Sequence, residues 1–184
     1  MNIFILDERP VEAAQMQCDK HVVKMILESA QMLCTSHRFL DGKMEIRKSK
    51  NNRNIKTWVL TDERENIMYK SAHVNHPCTI WTRACAHNYN WLLKHFDALC
   101  SEFVFRFGKR HKSDSLLQIL SNMPENISYN NTNSEFAVAI SEDIYPGIKN
   151  EKRPIQSYRN YYVEKNKKQF EMKWTKRPKP EWML

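Results

Sequence analysis

Three glycines in a chain of 184 residues, at 42, 108 and 147, constrain this fold more than any other feature. Tight antiparallel hairpins draw on glycine for positive φ, so a chain this poor in glycine is expected to build its core from helices. The expected fold class is therefore all-α, a mainly helical single domain with a short extended arm at the N-terminus. Residues 1–150 read as a helical globular domain, and 151–184 as a basic, aromatic-rich C-terminal segment packed on it. An apolar content of 41% against 27% charged residues supports an ordinary core. No internal repeat and no apolar run of about 18 residues is present, so no membrane span or membrane partner is expected. The opening Met1–Asp7 is too short and too soon acidic for a signal peptide. Five cysteines (18, 34, 78, 85 and 100) are an odd count, which reads as reduced thiols in a cytoplasmic protein, nucleoid-associated or working in a virus-infected cell.

Apolar periodicity then places the elements. Residues 2–6 form one short apolar strand or an extended arm. From Pro10 to about Phe39 the pattern is helical, with Val11, Ala14, Cys18, His21, Met25, Glu28 and Met32 on one stripe. Residues 41–56 are polar and basic and read as a loop facing any phosphate partner. A helix is expected from 61 to about 73. A second long helix is expected from Cys78 to Phe107, after Pro77 and stopped by Gly108, with Trp81 and Trp91 in the core. Ser115–Leu120 is a short helix, Pro124–Asn133 a loop, and Glu135–Ile144 is ambiguous between helix and strand. Pro146-Gly147 is a turn, and Ile155–Lys168 is helical.

The net charge of +8 is unevenly spread. Residues 151–184 hold ten Lys or Arg against four Glu, +6 in all, interleaved with tyrosine and tryptophan. Basic side chains hold phosphates and aromatic rings stack on bases, so the expected partner is nucleic acid, double-stranded DNA first. The candidate contacts are Lys20 and Lys24 on the first helix, Arg47, Lys48 and Arg53 in the basic loop, and His76 before the second helix. In the C-terminal segment they are Arg153, Tyr158, Arg159, Tyr161, Tyr162, Lys165, Lys168, Lys173, Trp174, Lys176 and Arg177. The other reading of that segment is a solvated basic tail held on the core by its aromatics.

His21 and Glu28 lie seven residues apart on a stripe that otherwise holds Cys18, Met25 and Met32. A carboxylate on an apolar face is costly unless it is paired or used, and burial with a neighbouring cation tunes it for acid–base work. Both outcomes are open at this level: Glu28 as a catalytic group, or Glu28 in an ion pair with His21 a satisfied core histidine.

The run Asp19-Lys20-His21 followed by Glu28 resembles the first helix of the pyrimidine-dimer DNA glycosylases, the small helical phage endonuclease V family. The apolar Ile3-Phe4-Ile5-Leu6 resembles that family's N-terminal arm. The Asn75-His76-Pro77 step and the Arg153-Pro154 pair followed by Tyr158-Arg159-Asn160-Tyr161-Tyr162 resemble features of its broader membership. The resemblance implies a DNA glycosylase/AP lyase acting on a damaged or modified pyrimidine, with the N-terminal amine as nucleophile, Glu28 as the assisting carboxylate and His21 beside it. An α-amine titrates near pH 8, so a useful fraction is neutral at pH 7. Asn2 is a large residue for removal of the initiator Met, so the amine belongs to Met1 or, after processing, Asn2; Lys20 or Lys24 is the substitute.

A zinc site is the competing enzymatic reading, because Cys18-x-x-His21 and Cys34-x-x-His37 repeat a ligand spacing. On one continuous helix those pairs would stand about 24 Å apart, too far for one ion, so no metal and no other cofactor is assigned, while a site drawn from Cys18, His21, His76 and Cys78 stays open. A non-catalytic DNA- or RNA-binding protein, and a helical interaction protein with no nucleic-acid role, remain as alternatives.

Overall fold

In the computed structural model, two long helices cross at the centre of the molecule, and a buried N-terminal arm threads beside them. Residues 1–130 and 135–184 are described; residues 131–133 of the expected loop lie outside them. The elements are α1 (Pro10–Met16), α2 (Asp19–Asp41), β1 (Lys43–Lys48), β2 (Asn54–Val59), α3 (Arg64–Ile67), α4 (Pro77–Ala84), α5 (Ala86–Phe107), α6 (Leu117–Leu120) and α7 (Pro154–Lys168). Helix dominates and the single domain is all-α in character. No helix among the described residues is long and apolar enough to cross a membrane.

Each of the two expected long helices is broken once, and neither break falls at a glycine or proline. The first breaks at Gln17-Cys18, both in extended conformation. Gln17 donates from Nε2 to the Ile3 carbonyl of the arm at 2.9 Å. The carbonyls freed at the end of α1 do not go unpaired. The Arg106 guanidinium donates to Gln15 O and Gln17 O, both at 2.8 Å, and pairs with Asp19 and with Glu102, each at 3.0 Å. At the start of α2, the Asp19 N–H donates to Lys173 O at 2.8 Å. The break is therefore a tertiary event, stabilised by groups 14 to 156 residues away, and propensity alone carries no sign of it. The second break is at Cys85, where the Ala86 N–H donates to Ser128 O at 2.8 Å. At the other end of α5, Gly108 adopts a left-handed φ of 69° and closes the helix onto Val104 O, as its position in the sequence predicts.

The basic loop expected at 41–56 is instead an antiparallel hairpin, β1 paired with β2 from Lys43↔Val59 to Lys48↔Asn54. It turns without glycine because Asn52 takes the left-handed conformation, φ 57°, which asparagine tolerates better than most residues. Glycine is needed at its base: a Cβ at Gly42 would stand 2.4 Å from Arg38 O. Behind the hairpin Arg38 is fully buried. Its five donors reach Tyr69 O (2.6 Å), Trp58 O (3.2 Å), Glu65 O (2.9 Å), Met68 O (3.0 Å) and the Glu65 carboxylate, so one guanidinium organises the connection from 58 to 69. That connection holds only the four-residue α3 and not the helix expected over 61–73. Residues 135–144 form neither helix nor strand, and the 115–120 helix is a 3-10 turn (Lys112–Leu116) running into α6.

Met25, Met32, Trp81 and Trp91 are buried as expected, and Tyr158, Tyr162, Met172, Trp174 and Met183 enter the same core from the C-terminal segment. Val11, expected on the buried stripe, is 47% exposed, because α1 and α2 do not share one axis.

Candidate active site

The arm is extended, and it is held by side chains instead of a neighbouring strand. The Asn2 side-chain oxygen accepts from Ile3 N (2.8 Å) and Phe4 N (3.2 Å), and its amide donates to Ala139 O at 3.0 Å. Residues 3–6 are at most 5% exposed. Phe4 has φ 55°, uncommon for a residue with a Cβ, and its ring is clamped on several sides. It stacks on His21 with centroids 4.3 Å apart and on Tyr161 at 5.7 Å, with Tyr158 and Tyr162 edge-on. Packing of this kind over-determines a strained backbone and fixes where the chain before it must go.

What it fixes is the amine. The Met1 nitrogen stands 3.8 Å from Glu28 Oε2, and the Asn2 N–H donates to that same oxygen at 2.7 Å. The other carboxylate oxygen faces Lys24 Nζ at 3.4 Å, one helical turn back. The Met1 side chain is only 2% exposed, and its sulfur accepts from Thr79 Oγ1 at 3.3 Å. Thr79 and Phe4 therefore shape the site, although no spacing in the sequence singles them out. His76 caps α4 by accepting from Cys78 N at 3.2 Å. Its pKa is pushed down, first by burial and then by the charge of the N-terminal amine and of His73, with Glu28 acting in the opposite sense.

His21 does not join Glu28. Seven residues of helix separate them by about 10 Å along the axis. His21 Nδ1 lies 2.6 Å from the Tyr162 hydroxyl, and its ring fills the aromatic cluster with Phe4 and Phe170. Burial above all, then Lys165, Lys24 and Lys20, lowers its pKa to about 3, so the ring is neutral at pH 7. Its place here is that of a satisfied core histidine supporting the arm, and this corrects its expected position beside the carboxylate.

The candidate nucleic-acid residues divide by burial. Tyr158 and Tyr162 are fully buried and Trp174 nearly so, with its indole N–H on Met16 O at 2.8 Å, so all three are packed away from any stack of bases. Tyr161 is half-buried and receives Lys165 Nζ on its hydroxyl at 2.8 Å. Several basic groups of the C-terminal segment are engaged internally. Arg177 pairs with Glu102, Lys176 donates to Phe105 O (2.8 Å), Arg159 donates to Leu6 O (2.9 Å) and Lys168 pairs with Glu164 (3.1 Å). Arg153 and Lys173 are exposed. On α2, Lys20 lies over the Phe170 ring at 4.0 Å and Lys24 is exposed beside Glu28. Arg47, Lys48 and Arg53 are exposed on the hairpin.

All five cysteines are free and buried, and among the described residues no three His, Cys, Asp or Glu side chains converge as a metal site would require. The break at Gln17-Cys18 falls before both Cys-x-x-His pairs: Cys18 caps α2, which carries His21, Cys34 and His37, so the pairs stay on one helix and far apart. No family model, curated protein or solved structure matches the chain. Its functional reading rests on the residues themselves.

Proposed function

We propose that the chain is a DNA glycosylase with AP lyase activity, acting on a damaged or modified pyrimidine in duplex DNA, with its N-terminal amine as nucleophile and Glu28 as the assisting carboxylate. One observation carries the reading: a buried, side-chain-clamped arm delivers an α-amine to 3.8 Å from a carboxylate on the central helix. An amine held there has little reason to be packed so closely unless the pair is used, since a partly buried charge pair is weak evidence for stability alone.

The neutral amine would donate its lone pair to the sugar C1′ while the glycosidic bond breaks, and the base would leave with the electrons of that broken bond and take up the proton that Glu28 relays from the amine. Glu28 would carry the proton lost by the amine and balance the developing positive charge on the sugar. Ring opening then gives an imine. Loss of a C2′ proton, with departure of the 3′ phosphate, cuts the strand by β-elimination. Lys24, beside Glu28, and His76, which feels the charge of the amine, suit the flanking phosphates, and the target nucleotide must leave the stack to reach the amine. Buried reduced cysteines fit a cytoplasmic setting.

Borohydride trapping on duplexes bearing an abasic site or a pyrimidine dimer, with mass mapping of the linked residue, tests the reading. The expected adduct is on the N-terminal residue, Met1, or Asn2 if Met1 is removed, where the nitrogen would stand 2.7 Å from Glu28. An adduct on Lys24 or Lys20 keeps the lyase and replaces the nucleophile. No adduct on either substrate leaves the alternative, a non-catalytic nucleic-acid-binding protein.

A further inference from the structure

Residues 43–59 carry six Lys or Arg and one Glu, a net charge of +5 in 17 residues. All six cations are exposed. Arg47 pairs with Glu45 at 2.8 Å, and the other five make no ion pair among the described residues. The hairpin is anchored at its base, by Trp58 against Phe39 (ring centroids 5.3 Å) and by Arg38 on Trp58 O. Beyond that base it buries almost nothing, with Met44 46%, Ile46 64% and Ile55 46% exposed. A lone two-stranded ribbon is marginal in water, so one that is both unpaired in charge and exposed in its apolar residues is suited to a partner.

The register sorts the side chains. Cross-strand partners share a face, which puts Met44, Ile46, Lys48, Asn54, Lys56 and Trp58 on one side and Glu45, the only acid, on the other. The acid-free face has cations toward its tip, a carboxamide at Asn54 and an apolar side chain at Ile46. We propose that this ribbon is a docking arm for duplex DNA, lying in the major groove with its cations on the phosphates of both walls. Strands of six residues span about 20 Å, and two strands about 5 Å apart fit a groove about 12 Å wide. Ile46 suits the methyl edge of thymine and Asn54 an adenine edge. Charge complementarity selects nucleic acid, and the tip supports that choice: Asn51, Asn52 and Asn54 offer amides, and no aromatic residue of the kind that anchors proteins at lipid interfaces is present there. The inference rests on the reading that the chain works on duplex DNA, but not on its chemistry.

The full chain, titrated against a plain duplex of about 20 bp at several salt concentrations by fluorescence anisotropy, is compared with a variant carrying Lys48→Gln, Lys50→Gln, Arg53→Gln and Lys56→Gln. The expected result is at least a ~10-fold loss of affinity and a salt slope shallower by about 2 to 4, because each phosphate contact contributes about 0.9. Methyl green, a major-groove ligand, is expected to compete with the wild-type chain. Should the fourfold variant melt abnormally, Lys50→Glu at the exposed tip replaces it, with the same direction of change expected. An unchanged slope, single-stranded DNA bound as tightly as duplex, competition by netropsin in place of methyl green, or loss of binding to anionic vesicles with duplex binding intact would each overturn the proposal. Imine trapping at saturating DNA separates the two readings. A hairpin variant that binds weakly yet traps normally when saturated supports both, and a wild-type chain that never traps but loses duplex affinity with the hairpin charges keeps the arm and removes the enzyme.

Discussion

Two stretches of extended backbone in this helical protein, the arm at residues 2–6 and the hairpin at 43–59, are opposites. The arm is almost wholly buried, carries one strained residue, and has its first nitrogens set against a carboxylate. The hairpin exposes nearly every side chain and leaves most of its charge unmatched. Extended chain that lacks a sheet must satisfy its backbone with side chains or with water. Side chains from Asn2 and Gln17 do so for the arm, which makes it a positioning device with little freedom. Water serves much of the hairpin's outer edges, which leaves it free to adapt to a surface. A reactive amine needs the first arrangement and a groove-binding ribbon needs the second.

The largest expected effect comes from removing the clamp beneath the arm. Arg106→Met would leave Glu102, whose side chain is 5% exposed, to Arg177 alone, and would free Asp19 and the carbonyls of Gln15 and Gln17. A loss of about 3–5 kcal/mol in urea unfolding is expected, the cost of breaking a buried charge network from one side. A loss below about 1 kcal/mol would mean that the arm is held without this network. Next comes Glu28→Gln, which keeps shape and hydrogen-bond acceptance toward Asn2 and removes the charge. Imine trapping is expected to slow at least ~100-fold while duplex affinity holds. If the variant merely unfolds, Glu28 is an ion-pair residue and the enzymatic reading falls.

Much of this contrast was legible in the sequence, and some was not. The arm, Glu28 on a buried stripe, the Gly108 stop and the helix at 154–168 follow from local patterns of apolar spacing and capping. The breaks at Gln17 and Cys85 do not, because they are enforced by Arg106, Lys173 and Ser128, whose proximity depends on the finished fold. In sequence the hairpin is indistinguishable from a basic loop, because a turn without glycine gives a weak signal and Asn52 supplies the left-handed residue. The C-terminal aromatics were equally ambiguous: alternation with lysine is the same whether the rings face bases or, as Tyr158 and Tyr162 do, the core.

Acid sharpens the comparison from another side, since the buried histidines cluster around the helices and arm and none lies on the hairpin. Burial lowers the pKa of His21 to about 3 and of His37 and His95 to about 4. The unfolded chain, with ordinary histidines near 6.5, therefore takes up protons first as pH falls. Stability from these groups is complete above about pH 6.5 and drains away toward pH 4, by about 1 kcal/mol per histidine in the first unit. Urea titrations at pH 7 and 5.5 check the direction, and His21→Phe is expected to flatten the dependence by one histidine's share. A stability that rises on acidification would contradict the burial of these rings.

The smallest effect is confined to the hairpin and tests its independence from the rest. Asn52 sits at φ 57°, where a Cβ is disfavoured and asparagine is among the few tolerated side chains. Asn52→Ala keeps the Cβ and loses the carboxamide, so the turn is expected to weaken by roughly 1 kcal/mol. Asn52→Gly relieves the strain in the folded turn but adds freedom to the unfolded one, so the net change is expected to stay within about 0.5 kcal/mol. Neither change touches the helical core, to which the hairpin is linked at its base by the Trp58–Phe39 contact and the Arg38 bond to Trp58 O. Global melting is therefore expected to be the same for both variants and the parent, while amide exchange at residues 47–56 speeds up by about fivefold in Asn52→Ala alone. Trapping at saturating DNA should not change, and duplex affinity should fall slightly with the disordered ribbon. If Asn52→Ala instead lowered the global melt by several degrees, the hairpin would be a cooperative part of the core, and its exposed cations would have to be explained as the surface of a structural element.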